Sequence, residues 1–234
     1  IPVNDKVAVA FGFRIVHSEG IVKATPVDGS AYQDMTGDSI DFGYNFALAY
    51  KPTSDLEMAF TYRSQVNITE EGTADLYYAA PLPGPTVPAG SYETAVTVLL
   101  PAIASFALAY TLPSKTTLEF VYERTMWSAY KELNFKYTDA TAEAVFGASK
   151  PKNWKDSNTF RLGVTQELSN MTLMAGILYD ETPIPDETMS FELPGSNGIA
   201  VSFGGRYQIN EKLEIGLAAL YAMRESRSVD NNNN

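Results

Sequence analysis

Apolar and polar residues alternate along most of the chain with the two-residue period of a β-strand. In residues 6–16, "KVAVAFGFRIV", Phe11, Phe13 and Ile15 fall on one face, and alanine, glycine and arginine fall on the other. The segment 56–68, "LEMAFTYRSQVNI", has the same period. It predicts one apolar face that holds Leu56, Met58, Phe60, Tyr62, Val66 and Ile68. Only "TAEAVFGA" (141–148) is compatible with a short helix.

This periodicity predicts nine strands and therefore an all-β fold. We expect them near residues 6–24, 40–51, 55–70, 93–112, 116–137, 155–168, 171–182, 198–209 and 212–226. Several exceed ten residues, whereas strands of soluble proteins average five or six. The apolar run 95–112 has nearly the length of a membrane helix, but Pro101 and its β-branched and aromatic residues favour a strand.

The connections alternate between short and long along the whole chain. Tight turns are expected at 51–55, 112–115, 168–171 and 209–212, and long polar or proline-rich loops near 25–39, 70–92, 137–154, 182–197 and from 226 onward. Outer-membrane barrels have short periplasmic turns and long extracellular loops. The pattern therefore predicts an antiparallel transmembrane β-barrel, formed as a single, partial barrel domain by residues 1–234.

The facing of the side chains has two interpretations. Large apolar side chains point inward in a soluble barrel and outward in a lipid-embedded one. Strand length and the alternation of connections favour the lipid-embedded barrel. Six tyrosines on the apolar face near predicted strand ends agree with an interfacial girdle: Tyr50, Tyr62, Tyr110, Tyr179, Tyr207 and Tyr221.

Composition removes several functional classes. A net charge of −11 and a pI near 4.6 argue against a nucleic-acid partner, which would require neutralisation of phosphates. The absence of cysteine excludes disulfides and cysteine-based metal sites. We expect no cofactor, no metal and a monomer. Because single-chain bacterial barrels normally have an even number of strands, at least one further strand is expected, and both ends are expected to belong to a longer parent protein.

Charged residues on the inward parity predict a cross-strand salt-bridge network, since ionisable groups inside a barrel need partners. They are Arg14, Asp41, Glu57, Arg63, Glu119, Glu123, Arg161, Arg206 and Glu214. A second possibility is that an arginine binds a ligand carboxylate. His17, the only histidine, is also expected to point inward, and it leaves open an outer-membrane lipid-modifying enzyme.

Four segments resemble the FadL family of outer-membrane transporters. They are residues 99–133, 154–168, 171–187 and 198–222. The most specific matches are "LPAI" before a strand, Trp127–Ser128, "WKDS" followed by "RLG", and "YDETPIPD". Their order and spacing extend over roughly 150 residues, and residues 42–66 also fit the family's middle strands.

The resemblance implies a fourteen-stranded barrel that is plugged by an N-terminal hatch and carries long-chain fatty acids and other hydrophobic compounds, including aromatic hydrocarbons. This chain would supply about strands five to thirteen. The hatch, the first strands and the last strand have no counterpart in it, so the family's gating and lateral opening cannot be transferred.

Passage of a hydrophobic molecule requires an apolar landing site and a deeper apolar pocket. We expect the landing site in the apolar loops 76–90 and 189–195. The predicted ligand contacts are Met126, Trp127, Leu178, Phe191 and Leu193. The expected partners are hydrophobic small molecules, outer-membrane lipid and lipopolysaccharide. A general or structural barrel and a soluble lipocalin-like binder remain alternatives.

Overall fold

The computed structural model describes residues 1–25, 29–79, 85–190 and 194–230, most of which lie in one antiparallel sheet. The strands in these ranges are β1 (Pro2–Asn4), β2 (Val7–Ala24), β3 (Ala31–Tyr50), β4 (Leu56–Arg63), β5 (Val66–Ala79), β6 (Thr86–Leu100), β7 (Ile103–Thr111), β8 (Thr116–Thr125), β9 (Glu132–Leu133), β10 (Phe135–Tyr137), β11 (Lys150–Pro151), β12 (Ser157–Glu167), β13 (Met171–Asp180), β14 (Gly198–Asn210) and β15 (Leu213–Arg224). One α-helix, α1, spans Ala140–Phe146.

Consecutive hairpins build the sheet. β4 and β5 both pair with β3 and run in the same direction, so they form one interrupted strand. β6 and β7 likewise form one strand, interrupted at Pro101 and Ala102, which pairs with β5 and then with β4. With β2, β3, β8, β12, β13, β14 and β15, the described ranges contain nine long strands, as the periodicity predicts. Two predicted loops are wrong, because β3 already begins at Ala31 within 25–39, and β5 and β6 occupy most of 70–92. β9 and β11 pair with each other outside this sheet.

One predicted strand is too long. The pattern places a strand over 116–137, but β8 ends at Thr125. A short 3₁₀ turn, Trp127–Ala129, follows and redirects the chain, and β10 then pairs with the outer part of β6. The alternation of residue types continues through this segment, and for that reason it cannot show where the strand turns.

The two faces of the sheet differ sharply in chemistry. One face carries exposed apolar side chains, among them Phe13 at 85%, Phe42 at 72% and Phe203 at 68% exposure. The register places Phe13 opposite Tyr44 on this face. Glycine, alanine and polar residues occupy the opposite face. We call these the outer and inner faces.

A one-residue bulge separates β4 from β5. Seven steps along β3, from Asn45 to Asp38, match eight steps along its partner, from Arg63 to Glu71. The extra residue lies at Ser64–Gln65, where the Ser64 hydroxyl accepts a hydrogen bond from the Tyr44 amide at 2.8 Å. Such a bulge reverses which face each later residue occupies.

The reversal corrects one prediction. Val66 and Ile68 do not share the exposed apolar face with Leu56–Tyr62, because the inserted residue turns them to the inner face, where they are 3% and 7% exposed. Beyond the bulge the inner face therefore becomes apolar and the outer face polar.

A small hydrophobic core fills the inner face of this outer extension. It comprises Met35, Ala74, Leu76, Val87, Val96, Phe135, Tyr137 and Ala142. α1 contributes Ala142, and the Asp139 carboxylate accepts hydrogen bonds from the Thr141 and Ala142 amides, both at 2.9 Å, as an N-cap does. The predicted short helix near 141–148 is thus confirmed.

The extension depends on a close approach between β3 and β5 at Gly72. A Cβ atom at this position would lie 2.0 Å from the Thr36 carbonyl oxygen. Because that contact is with backbone, we expect Gly72→Ala to lower the free energy of unfolding by about 1–3 kcal/mol, in the range of overpacked sites. Urea titration in detergent measures this change. Gly90→Ala is the control, since its Cβ would meet nothing closer than Tyr92 at 3.6 Å. Equal stability of the two variants would contradict the prediction.

Candidate functional site

A continuous row of mostly small apolar side chains crosses the inner face. The register joins each member directly to the next on the neighbouring strand. The row comprises Ala8, Ala49, Ala59, Ala107, Val121, Arg161, Leu178, Ala200 and Ala222. We call it the inner row. Arg161 is its one charged member, and the other side chains leave a smooth wall without hydrogen-bonding groups.

Polar residues border the inner row on the side of the long loops. There Ser105 donates to the Glu123 carboxylate at 3.0 Å, and Thr159 donates to that of Asp180 at 2.8 Å. Glu123 also pairs with Arg161 at 3.5 Å. The guanidinium of the inner row is therefore balanced by a carboxylate in the next row.

The predicted salt-bridge network is present only as separate pairs. Arg161–Glu123 and Arg206–Glu214, the latter at 3.6 Å, are cross-strand ion pairs on the inner face. Arg14 instead donates to the Ser64 carbonyl at 3.2 Å. Asp41 has a buried Oδ2 without a hydrogen-bond partner among the described residues, so these charges do not form one connected network.

A cavity of about 710 Å³ lies against the inner row at the end with the short turns. Ala49, Ala59 and Ala107 form its apolar wall, and residues 2–7 cover one side. Glu57, which is ion-paired with Lys51, and Glu119 lie at its border. Its size is within the range of small-molecule sites.

An aromatic cluster lies at the opposite end, beyond β8 and β12. The ring centroid of Trp154 is 4.8 Å from that of Trp127 and 5.1 Å from that of Tyr130. Leu99 and Ile184 complete the buried part, and Trp127 remains half-buried at its edge. The buried Nε1 of Trp154 has no hydrogen-bond partner within the described part of the chain.

The five predicted ligand contacts fall in different places. Met126 and Trp127 lie at the aromatic end, whereas Leu178 lies in the inner row. Val121 of β8 lies in the same row as Leu178. Met126 lies five residues after Val121, so about 16 Å of extended chain separates Met126 from the inner row. Phe191 and Leu193 lie outside the described residues, as do residues 80–84 of the expected landing loop 76–90. The rest of that segment is mainly strand and not loop, since β5 extends to Ala79, β6 begins at Thr86, and Leu76 and Val87 are buried.

His17 does not point inward. It pairs with Ile40 on the outer face, together with Phe13 and Ile15, because all odd-numbered residues from 9 to 17 share that face. Its ring contacts the Ser39 carbonyl at 3.1 Å and Glu19 at 3.4 Å. A histidine in this position is remote from the inner row and the aromatic cluster.

Sequence reasoning missed the alanines of the inner row. The sequence does contain an indication of them. Within each strand, these alanines (Ala8, Ala49, Ala59 and Ala107) alternate with the large apolar residues and are therefore expected on the opposite face. Only strand pairing shows that they adjoin one another, because each comes from a different strand.

Two features are absent from the described residues. No helix in them is both long enough and apolar enough to cross a membrane. No group of three or more histidine, aspartate or glutamate side chains in these ranges is arranged to hold a metal ion.

Nine long antiparallel strands with an exposed apolar outer face define this chain as part of an outer-membrane β-barrel. The family described as "Outer membrane protein transport protein (OMPP1/FadL/TodX)" matches residues 2–234. The chain belongs to this family, as the resemblance in its sequence indicates.

Curated relatives agree with this assignment. The long-chain fatty acid transport protein of Salmonella typhi is 26% identical over 217 residues, which cover 88% of this chain and 49% of that protein. The 47 kDa outer membrane protein of Pasteurella multocida is 29% identical, covering 80% of this chain and 45% of that protein. The chain thus spans about half the length of these relatives.

Solved structures confirm the predicted barrel fold. A Pseudomonas aeruginosa FadL homologue superposes with a TM-score of 0.78 at 20% identity, covering 94% of this chain and 56% of that one. The toluene transporter TodX of P. putida gives 0.62 at 17% identity, covering 92% and 59%. At this identity the likeness establishes the fold alone.

The Asp156 carboxylate links the aromatic cluster to the end of β8 by hydrogen bonds. Its carboxylate accepts from the Ser128 amide at 2.8 Å and from Arg124 at 3.0 Å. Hydrogen bonds from Ser128, reinforced by Arg124, hold its pKa below the ordinary value. A lowered pKa means that ionised Asp156 stabilises the fold above the ordinary aspartate value of about 3.9, and that this stabilisation is lost as the pH falls through the lowered value.

We therefore expect acid to loosen the cluster and shift the emission of the chain's two tryptophans, Trp127 and Trp154, to longer wavelength. Asp156→Asn should show the shifted emission already at pH 7 and lose this acid transition. Asp55→Asn, in a short turn at the other end, is the matched control. An unchanged titration in Asp156→Asn would contradict the role given to this carboxylate.

Proposed function

We propose that this chain forms part of the wall of an outer-membrane channel for the passive uptake of hydrophobic small molecules, such as long-chain fatty acids or aromatic hydrocarbons. Membership of an outer-membrane transport family carries the proposal. Relatives bear the names of fatty acid transporters, and structural neighbours those of a toluene transporter and a monoaromatic hydrocarbon channel.

The apolar features suggest a route. In the proposal, a ligand lands at the half-buried Trp127 and Met126, passes Leu178 on the inner row and reaches the alanine-walled cavity. Each of these positions offers an apolar surface. Apart from Arg161, which is ion-paired with Glu123, the inner row has no hydrogen-bonding groups, so binding along it is weak enough to allow release. In this scheme Phe191 and Leu193 are further proposed contacts.

We also propose that residues 1–234 are a single domain, that the protein acts as a monomer and that it is not an enzyme. The position of His17 on the outer face supports the last point, since a catalytic histidine would have to reach a bound substrate. A general or structural barrel is the second candidate function. The ion pairs and hydroxyl groups beside the inner row favour it, because they also suit water and polar solutes.

Uptake measurements separate these functions. Cells that carry the gene should accumulate labelled oleate or toluene faster than cells without it, with no difference for a small labelled sugar. Equal rates for the hydrophobic probes would contradict the proposed function. A faster rate for the sugar alone would identify a general channel.

Leu178 and Ile177 provide a matched test of the route. They are adjacent in β13 and lose similar volume on truncation, but Leu178 faces the inner row and Ile177 the outer face. Loss of apolar contact worth about 1.4 kcal/mol corresponds to tenfold weaker binding. We expect Leu178→Ala to lower binding of the hydrophobic ligand by about tenfold and Ile177→Ala to leave it unchanged. Equal effects of the two truncations on ligand titrations would refute a route along the inner face.

A further inference from the structure

A polar groove of about 410 Å³ lies on the outer extension, next to the aromatic cluster, with which it shares Leu99 and Tyr130. Gln65, Asn67, Thr69 and Thr97 form its wall on β5 and β6. The other lining residues include Ala129, Tyr130, Lys131, Glu132, Asn134 and Lys136. We call it the outer groove.

The β4–β5 bulge places this groove at the membrane boundary. Phe60 and Tyr62 lie on the outer face before the bulge, and Asn67 and Thr69 lie on the same face after it. Five residues, or about 16 Å of strand, separate Tyr62 from Asn67. The outer face therefore changes from lipid-compatible to strongly hydrogen-bonding at the end of the strand that carries the long loops, which is the extracellular end in this architecture.

The groove combines cationic groups with neutral polar ones. Lys131 and Lys136 both line it and are exposed, and neither has an ion pair within the described ranges. The acid on the same wall, Glu132, accepts a hydrogen bond from Ser149 at 2.6 Å. Two available ammonium groups are notable on a chain whose net charge is −11, and they fit a phosphate.

The neutral groups fit a sugar. The Gln65 amide donates to Asn67 at 2.8 Å, and the Thr69 and Thr97 hydroxyls are 3.2 Å apart, so amides and hydroxyls stand in a preformed row. Asn134, also part of the lining, has a buried Oδ1 with no hydrogen-bond partner among the residues described. Such an acceptor is costly to bury unless another donor satisfies it, and a sugar hydroxyl is one.

We propose that the outer groove binds the phosphorylated sugar headgroup of lipopolysaccharide, the lipid that surrounds such a barrel in the outer leaflet. Lys131 and Lys136 pair with its phosphate groups, and Asn67, Thr69, Thr97 and Asn134 hydrogen-bond its sugar hydroxyls. The acyl chains then lie along the apolar outer face below the bulge, beside Phe60. This inference rests on the outer-membrane fold and is independent of what the barrel transports.

The test uses the full-length protein in phosphatidylcholine nanodiscs, titrated with deep-rough lipopolysaccharide and followed by native mass spectrometry. Each 1.4 kcal/mol of lost interaction is a factor of ten, so removal of two charge-assisted contacts should weaken binding by at least about tenfold. We expect this loss in Lys131→Ala/Lys136→Ala. Lys131→Arg/Lys136→Arg, which keeps both charges, should retain most of the affinity.

Matched controls exclude general effects of charge. Lys6→Ala/Lys212→Ala removes two lysines from the opposite, short-turn end and should bind like the wild type. Dephosphorylated lipopolysaccharide should bind the wild type no better than the intact lipid binds Lys131→Ala/Lys136→Ala. Heat-modifiable migration verifies that each variant is folded.

Two results would overturn the proposal. One is wild-type affinity in a folded Lys131→Ala/Lys136→Ala variant. The other is complete loss of lipopolysaccharide from the wild type on addition of EDTA, which would show that divalent cations on acidic side chains hold the lipid, and not the two lysines.

Discussion

Backbone hydrogen bonding within hydrocarbon is the constraint on which this structure depends. A peptide N–H or C=O without a partner is costly in lipid, so a β chain can cross only when each strand is paired with its neighbours. The long strands satisfy this by successive antiparallel hairpins with short turns at one end. That pairing fixes the two-residue alternation, and the alternation separates a lipid-compatible outer face from the inner row. Because β15 has no second neighbour in the described part of the chain, its exposed edge is consistent with a chain that spans about half of its relatives.

An inserted residue in a strand changes which face each later residue occupies. Below the bulge at Ser64–Gln65, large apolar side chains face outward and small ones inward. Above it the same hairpin buries Val66 and Ile68 on the inner face and presents Asn67 and Thr69 outside. The paired strand carries the same offset at Pro101–Ala102, since three residues separate Val66 from Arg63 and also Leu100 from Ile103. The two offsets let a continuous hairpin serve two surroundings, with a lipid-facing part and an extension that has its own hydrophobic core. Gly72 permits the close approach of β5 to β3, and the Ser64 hydroxyl at the bulge accepts a hydrogen bond from the Tyr44 amide of β3.

Much of the barrel could be predicted from the sequence because lipid exposure makes the periodicity strong. The nine strands, the short turns and the short helix near Ala140 all follow from local patterns. The reversal at Val66 could not be predicted, since an inserted residue leaves the apolar and polar letters alternating. The end of β8 was missed for a similar reason. Of the candidate site, Trp127 and Leu178 remain predicted ligand contacts, and the inner row is a property of strand register. Ala8, Ala49, Ala59 and Ala107 become one surface only when four separate strands are aligned.

The central claim is that hydrophobic ligands contact the inner face of this wall. Photo-crosslinking with a diazirine-bearing fatty acid tests it most directly, when peptide mapping is done with and without excess unlabelled ligand. Adducts that disappear under competition should map to the inner row, at Ala59, Ala107 and Leu178, and to the aromatic end at Trp127. Adducts on the outer face, at Phe13 or Phe203, should persist because they report lipid-like contact. Competition-sensitive labelling confined to the outer face would contradict this account.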